Sequence, residues 1–129
     1  MSIDFLKLRE ALENSWDTRT SHLAASRKNN PAFGQCYPTS RVVQYFFPEM
    51  EIIEGQVWTG KSLEKHFWNG LKIDAKIYHI DLTWRQFPAG SEVREFKFRD
   101  REKLNDSAAT IQRVEILLNR VKKYLAKNP

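Results

Sequence analysis

The sequence predicts an α+β domain in which a central helix packs on a small antiparallel sheet. Three observations favour this class. Apolar residues recur every three or four positions in residues 3–16 and 107–127, as they do along one face of a helix. A second apolar helical segment starts at Pro38. Between the helices, β-branched and aromatic residues dominate 50–58 and 66–83, which is typical of strands. Helices flanking such strands indicate an α+β arrangement.

The first helix is predicted over residues 3–16. Its apolar face consists of four residues at helical spacing: Phe5, Leu8, Leu12 and Trp16. Residues 17–33 are polar and end in Asn-Asn-Pro, so we expect a loop there.

The second helix is predicted over residues 38–47. Proline is tolerated in the first turn because its missing N–H has no intrahelical partner there, so Pro38 can open the helix. A second proline, Pro48, ends it. Four bulky residues form a thick apolar face, which makes this helix the central one: Val42, Val43, Phe46 and Phe47.

The strands follow the second helix. We expect one strand at 50–58, then a hairpin of 66–71 and 75–83 joined near residues 70–74. The charged stretch 93–103 is predicted to be a short edge strand. The final helix, 107–127, carries Lys122, Lys123 and Lys127 near its C-terminus, where cations are favourable.

The length and composition of the chain limit the classes of protein to which it can belong. With 129 residues the chain is long enough for one domain with a real core, and we expect residues 1–129 to form a single domain. Its single cysteine excludes an internal disulfide and favours a reducing compartment. The N-terminal residues do not read as a signal peptide, and no apolar run is long enough for a membrane. We therefore expect a cytoplasmic protein without membrane contact, with delivery into another cell left open.

The net charge of +5 is unevenly distributed. From Val93 onward, basic residues outnumber acidic residues by 10 to 5, whereas residues 1–92 are balanced. Such a basic region can contact an acidic protein or a nucleic acid. The mixture of signs favours a simpler interpretation, a solvated helix face. The sequence does not predict the oligomeric state.

The candidate nucleophile is Cys36, which lies one or two residues before the predicted central helix. Free N–H groups and the positive end of the helix dipole favour the thiolate, which is the reactive form. A buried packing cysteine is the alternative, because unpaired cysteines are often fully buried. A nucleophilic cysteine also needs a general base, usually a histidine.

Three histidines are available. His22 lies in the polar loop with nothing to fix its orientation, and His79 lies within the second hairpin strand. His66 opens the first hairpin strand, and Asp81 lies near the end of the partner strand. In an antiparallel pair the start of one strand faces the end of the other, so we expect His66 beside Asp81. A carboxylate there orients the imidazole and stabilises imidazolium, which predicts a triad of Cys36, His66 and Asp81.

Four further residues are candidates for the oxyanion site or for supporting contacts around the triad: Gln35, Trp68, Asn69 and His79. Gln35 ranks below the N–H of Cys36 as an oxyanion donor, because the side chain of an adjacent residue can point away from the thiol. Strand-surface and core-packing roles are the alternatives for the other three. No metal or other cofactor is expected, since no close pair of zinc-ligand residues and no glycine-rich phosphate loop is present.

The order of cysteine, histidine and aspartate resembles the core of papain-like and transglutaminase-like thiol enzymes. The resemblance covers roughly residues 33–87. In the transglutaminase-like core, the cysteine opens a helix after a glycine-containing turn, the histidine begins a strand in a His-x-Trp pattern, and the aspartate ends the next strand. Here Gly34-Gln35-Cys36, His66-Phe67-Trp68 and His79-Ile80-Asp81-Leu82-Thr83 match that layout.

The sequence is also similar to the YunG-like family of small bacterial proteins. The similarity is carried by Gly34-Gln35-Cys36, by His66-Phe67-Trp68-Asn69, and by the segment from Asp81 to Phe87, which reads D-L-T-W-R-Q-F. This resemblance implies the same site and leaves the substrate open.

Three functions are compatible with these observations. The first is a thiol enzyme acting on amide or acyl groups of a protein or peptide-like substrate: a peptidase, a deamidase or an acyltransferase. The second is a non-catalytic module that keeps the fold and binds a protein or nucleic acid through its basic C-terminal region. The third is a toxin-like protein that modifies a target protein through the same thiol.

Overall fold

Three helices and a curled four-stranded antiparallel sheet form the α+β fold. The structure is a computed structural model that describes residues 3–23 and 29–129. The helices are α1 (Phe5–Glu13), α2 (Cys36–Phe46) and α3 (Ala108–Lys127). The strands are β1 (Glu51–Trp58), β2 (Leu63–Ile73), β3 (Lys76–Ile80) and β4 (Glu92–Phe98). Single 3-10 turns lie at Trp84–Gln86 and Arg101–Lys103.

The helices share one apolar core. Its fully buried members come from all three helices: Leu8, Ala11, Leu12, Val42, Val43, Leu117 and Val121. Helix α1 is shorter than predicted, and Asp4 caps it by accepting a hydrogen bond from the N–H of Lys7. Trp16 lies beyond the end of α1, where its indole donates to Oγ1 of Thr39 at 2.9 Å and ties this segment to α2.

Helix α2 begins at Cys36, earlier than the predicted start at Pro38. The carbonyl of Gln35 accepts the first intrahelical bond, from the N–H of Thr39 at 3.0 Å. Pro38 therefore occupies the first turn, where its missing N–H removes no helical bond. Cys36 is the first residue of the helix and not a residue that precedes it.

The sheet has the strand order β3-β2-β1-β4, which confirms the predicted antiparallel hairpin. Strand β2 is longer than predicted at both ends. Gly70 pairs with His79 inside the ladder, and Ile73 pairs with Lys76, so the turn consists of Asp74 and Ala75 alone. Asp74 has a φ of 57°, a left-handed conformation that aspartate tolerates better than most residues.

Strand β4 forms the opposite edge of the sheet, as predicted, by pairing with β1. The strand ends at Phe98, so the predicted stretch 93–103 is only partly strand. Arg99 follows the strand: its N–H still donates to the carbonyl of Ile52 in β1 at 2.8 Å, and its guanidinium pairs with Glu54 at 2.7 Å. Arg101 lies in the following 3-10 turn and pairs with Glu51.

The segment between α1 and α2 was predicted to be a loop at 17–33. Its described parts are turns without extended helix or strand, and residues 24–28 lie outside the described residues. None of the helices in the described ranges is long and apolar enough to cross a membrane.

Candidate active site

Cys36 is positioned by the first turn of α2. Its side chain is buried, with 3% of the residue exposed, and it lines a cleft. The carbonyl of Cys36 accepts a hydrogen bond from Oγ of Ser40 at 2.7 Å. As the first helical residue, Cys36 has an N–H without an intrahelical acceptor, so this donor points out of the helix end beside the thiol.

Gly34 explains how the chain enters this helix. Its φ of 74° is left-handed, and a Cβ at this position would lie 2.1 Å from Oγ of Ser21. Glycine therefore meets both a conformational and a steric requirement here. The carbonyl of Gly34 also accepts the N–H of His22 at 2.9 Å. The segment around His22 is consequently held against the residues that precede Cys36.

His66 and Asp81 form the predicted pair. Nε2 of His66 lies 2.7 Å from Oδ2 of Asp81. The other carboxylate oxygen, Oδ1, accepts hydrogen bonds from the N–H of Thr83 at 3.1 Å and from its hydroxyl at 3.3 Å. Thr83 is 1% exposed, so the carboxylate is oriented from within the protein. His66 is the fourth residue of β2 and does not open the strand as predicted.

The thiol of Cys36 acts on the imidazole as well. Burial alone would lower the pKa of His66, but hydrogen bonds to Asp81 and Cys36, together with their negative charges, raise it to about 9. The three predicted triad residues are thus brought together in the order Cys36, His66, Asp81.

Aromatic rings enclose His66, whose residue is fully buried. Trp68 stacks on the imidazole with ring centroids 5.4 Å apart, and Phe87 meets it edge-on at 4.7 Å. Gly55 makes room for this stack, since a Cβ there would lie 2.4 Å from Cη2 of Trp68. The rings shield the imidazole of His66 from water, whereas the side chain of Asp81 stays 17% exposed.

Gln86 belongs to the site, although sequence reasoning assigned it no role. Its Nε2 lies 3.4 Å from Nδ1 of His66 and 3.3 Å from Oγ1 of Thr83. The residue also lines the cleft with Cys36. The only sequence signal was the place of Gln86 in the D-L-T-W-R-Q-F segment.

Gln35 has a different environment from that required of an oxyanion donor. Its side chain is fully buried, Oε1 accepts from the hydroxyl of Thr20 at 2.7 Å, and Nε2 donates to the carbonyl of Asp17 at 2.9 Å. Both ends of the amide are therefore engaged away from the thiol. Gln35 fixes the turn at residues 17–20 against the start of α2.

The other three supporting candidates also make defined contacts. Asn69 is buried, and its Nδ2 donates to the carbonyl of Ser40 at 3.0 Å, which joins β2 to α2. Trp68 donates its indole N–H to Nδ1 of His79 at 2.9 Å. His79 itself lies on the exposed edge strand, away from the thiol by one layer of aromatic side chains.

The cleft beside Cys36 has a volume of about 710 Å³. Its lining combines apolar, neutral polar, basic and acidic side chains: His22, Leu23, Asn30, Phe33, Cys36, Thr59, Lys61, Ser62, Glu64, Lys65, Gln86, Phe87 and Pro88. Burial lowers the pKa of His22, the Gly34 carbonyl opposes this shift, and the positive charges of Arg113 and His66 add to it. Within residues 3–23 and 29–129, no group of three or more His, Cys, Asp or Glu side chains is arranged to hold a metal ion.

Comparison with known proteins identifies the family. Residues 4–126 match the sequence profile of a family described as "YunG protein". The chain belongs to the YunG family. No curated protein and no solved structure matches it. The similarity inferred from the Gly34-Gln35-Cys36 and His66-Phe67-Trp68-Asn69 motifs is therefore confirmed at the level of the family.

In this YunG-family protein, the site has the components that nucleophilic catalysis requires. Cys36 supplies the thiol, His66 lies within hydrogen-bonding reach of it, and Asp81 orients His66. Cys36 and Gln86 both line the cleft. Such an arrangement can form and resolve a covalent bond between the sulfur and an acyl carbon.

Proposed function

We propose that the protein is a cysteine-dependent enzyme acting on amide or acyl groups, with a papain-like or transglutaminase-like core. The observation that carries the proposal is the contact of His66 with Asp81, whose Oδ2 lies 2.7 Å from Nε2, together with the hydrogen bond to Cys36 that helps to raise the pKa of His66. A thiol is activated by a histidine that an orienting carboxylate holds in place.

The reaction follows from the protonation state of this pair. With His66 protonated, Cys36 is present as the thiolate that attacks the carbonyl carbon of the substrate. The carbonyl oxygen becomes an oxyanion, which the N–H of Cys36 and Nε2 of Gln86 stabilise. His66 then gives its proton to the leaving amine, the C–N bond breaks, and the acyl group stays on the sulfur.

Resolution of the acyl-enzyme uses the same residues. His66, now neutral, removes a proton from an incoming water or amine, which attacks the thioester carbon. The C–S bond breaks, and the thiolate and imidazolium are restored. Water gives hydrolysis or deamidation, whereas an amine gives acyl transfer. Asp81 keeps the tautomer and orientation of His66 throughout.

The first test is the pH dependence of Cys36 alkylation by iodoacetamide. We expect substantial reaction at pH 6 in the wild type and at least a ~10-fold slower reaction in His66→Ala, because the imidazolium stabilises the thiolate. Tyr78→Ala is the matched control, since this side chain is half exposed on the edge strand β3, and its rate should stay within about twofold of the wild type. A slow reaction at pH 6 that ignores His66 would rule out the proposed activation.

A basic C-terminal contact surface stays a prediction. Several cations of that region are engaged within the protein, since Arg99 pairs with Glu54, Arg101 with Glu51, and Arg120 with Asp17 at 2.9 Å. Salt-sensitive binding of an acidic protein or nucleic acid that survives Cys36→Ala would support a binding function in place of catalysis.

A further inference from the structure

One hydroxyl group connects the two polar side chains that contact the imidazole of His66 through its nitrogens. Oγ1 of Thr83 lies 3.3 Å from Oδ1 of Asp81 and 3.3 Å from Nε2 of Gln86. These two neighbours contact different nitrogens of His66: Oδ2 of Asp81 lies 2.7 Å from Nε2, and Nε2 of Gln86 lies 3.4 Å from Nδ1. The four side chains therefore form a closed loop of polar contacts that includes both nitrogens of the imidazole.

The direction of each hydrogen bond at the Thr83 hydroxyl follows from the groups involved. An ionised carboxylate only accepts hydrogen bonds, so the hydroxyl donates its single hydrogen to Asp81. The hydroxyl oxygen then accepts from Gln86, which requires that the amide nitrogen of Gln86, and not its oxygen, faces Thr83. The hydrogen bonds thus run from Gln86 through Thr83 to Asp81.

The backbone of Thr83 holds this hydroxyl in place. The residue is 1% exposed, and its N–H donates to Oδ1 of Asp81 at 3.1 Å. Its carbonyl accepts from the N–H of Gln86 at 3.0 Å. Backbone and side chain of Thr83 are therefore bonded to the same two residues. Because the hydroxyl is buried, its removal takes one bond from each of these partners in a place that bulk water does not reach.

The contact between Gln86 and His66 depends on the protonation of the imidazole. In the imidazolium form both ring nitrogens carry a hydrogen, so Nδ1 cannot accept from Gln86. The bond from Gln86 to Thr83 does not involve the imidazole and is available in both forms. Thr83 therefore holds the amide of Gln86 while the charge of His66 changes.

We propose that Thr83 is a positioning residue of the active site. Its hydroxyl holds the carboxylate of Asp81 toward Nε2 of His66, and it holds the amide of Gln86 beside the imidazole. This inference rests on the proposed function, because it assigns Thr83 the role of keeping both side chains in place as His66 takes up and gives back a proton. No substrate bond is made or broken at Thr83, which acts through these neighbours.

The variant Thr83→Val tests the role of the hydroxyl, since it keeps the shape and the N–H of the residue. In NMR spectra, we expect the Nε2–H signal of His66 to move upfield and to exchange with water ~5-fold faster or more, because the hydrogen bond to Asp81 weakens. The side-chain NH₂ signals of Gln86 should shift as well. Alkylation of Cys36 at pH 6 should slow roughly threefold or more. Thr83→Ser retains the hydroxyl and should restore the wild-type behaviour.

Two controls separate positioning from a general loss of stability. Val121→Ala shortens a fully buried side chain in the core of α3, so it should lower the free energy of unfolding and leave the signals of His66 and Gln86 unchanged. Thr110→Val makes the same chemical change at the start of α3, where the hydroxyl accepts from Ser107 at 3.1 Å, and should also leave these signals unchanged.

Three results would overturn the positioning role. The first is a wild-type Nε2–H signal of His66 in Thr83→Val. The second is the same change of signals in Val121→Ala, and the third is a Thr83→Ser protein that behaves like Thr83→Val. If Thr83→Val does not fold, Thr83→Ala, which also lacks the hydroxyl and leaves more space, is measured in its place.

The outcomes also separate this inference from the proposed function. A thiol that depends on His66, combined with signals of His66 and Gln86 that ignore the Thr83 hydroxyl, leaves the thiol enzyme standing and removes the role of Thr83. Signals that depend on the hydroxyl, in a protein whose thiol is unreactive at pH 6, establish that Thr83 holds both side chains and remove the catalytic role of the site.

Discussion

Asp81 and His66 meet through their side chains although they are not cross-strand partners. The β2–β3 ladder ends with Asn69 opposite Ile80, and Asp81 is the first residue after β3. Its Oδ2 nevertheless lies 2.7 Å from Nε2 of His66, while Thr83 holds the other oxygen. The orientation of the histidine therefore depends on the turn that follows the strand, and not on the ladder itself.

Replacement of Asp81 by asparagine should reduce the reactivity of Cys36. The substitution keeps the shape of the side chain but removes the charge that stabilises imidazolium, so we expect alkylation at pH 6 to slow by ~10-fold or more. Asp74→Asn at the hairpin turn is the matched control, because asparagine tolerates the left-handed φ there. Equal rates in Asp81→Asn and the wild type would show that the carboxylate does not act on the thiol.

The pKa of His66 should be measurable in the native protein. Burial lowers this pKa, but hydrogen bonds to Asp81 and Cys36 and the charges of both residues outweigh burial and raise it to about 9. An NMR titration of the imidazole should find this value in the wild type and lower values in Asp81→Asn and in Cys36→Ser. A wild-type value near the ordinary ~6.5 would contradict the hydrogen-bonded arrangement.

In the variant Cys36→Ser, which lacks the thiol, the free energy of unfolding should fall as the pH rises. In Cys36→Ser, a pKa of His66 that Asp81 raises above its unfolded value stabilises the native state fully below about pH 6.5. This stabilisation is lost as the pH rises through the native pKa, with a slope of at most about 1.4 kcal/mol per pH unit. Urea unfolding at a series of pH values measures the slope, which Asp81→Asn in the same background should flatten.

The substitution Gly55→Ala should both destabilise the protein and slow the alkylation of Cys36. The new Cβ would lie 2.4 Å from Cη2 of Trp68 and 2.8 Å from the carbonyl oxygen of Glu95, so the ring stacked on His66 must shift. We expect a loss of about 1–3 kcal/mol in the free energy of unfolding. In a double-mutant cycle with Trp68→Phe, the smaller ring should recover part of that loss. Additive effects would show that the alanine and the Trp68 ring do not meet.

Asp106 should stabilise the folded protein through its contacts with Tyr37 and Arg41. The carboxylate is 8% exposed, accepts from the hydroxyl of Tyr37, and pairs with Nε of Arg41 at 2.9 Å. Asp106→Asn should lower the free energy of unfolding by about 1–3 kcal/mol. Burial, followed by the hydrogen bond and charge of Asp106, raises the pKa of Tyr37, so the variant should lower this pKa in a spectrophotometric titration. Glu115→Gln, on the exposed side of α3, should change neither quantity.

The elements that follow from local pattern could be predicted from the sequence. The apolar spacing of α3 and the position of Pro38 in the first turn of α2 are properties of neighbouring residues. The hairpin predicted that His66 and Asp81 lie at the same end of the sheet, but not the turn after β3 that brings their side chains into contact. The start of α2 at Cys36 was harder to predict, because the Gln35 carbonyl that accepts the first helical bond has no side-chain signature.

The contacts between distant segments could not be predicted. The orientation of Gln35 depends on Thr20 and Asp17, and the position of His22 depends on the carbonyl of Gly34. Nothing in the pattern of residues 17–33 indicates which of its polar side chains face α2. Gln86 was missed for the same reason, since only the folded 3-10 turn brings its amide to His66.

The position of β3 at the edge of the sheet determines which part of the protein should unfold first. This strand of five residues is an edge, bonded only to β2, and most of its side chains are exposed. Short exposed edges open in local fluctuations that cost far less than global unfolding. Asp81 is tethered to the end of this strand. Mild heat or denaturant should therefore detach the carboxylate from His66 while the three-helix core persists, so the thiol should lose its reactivity before the protein loses its fold.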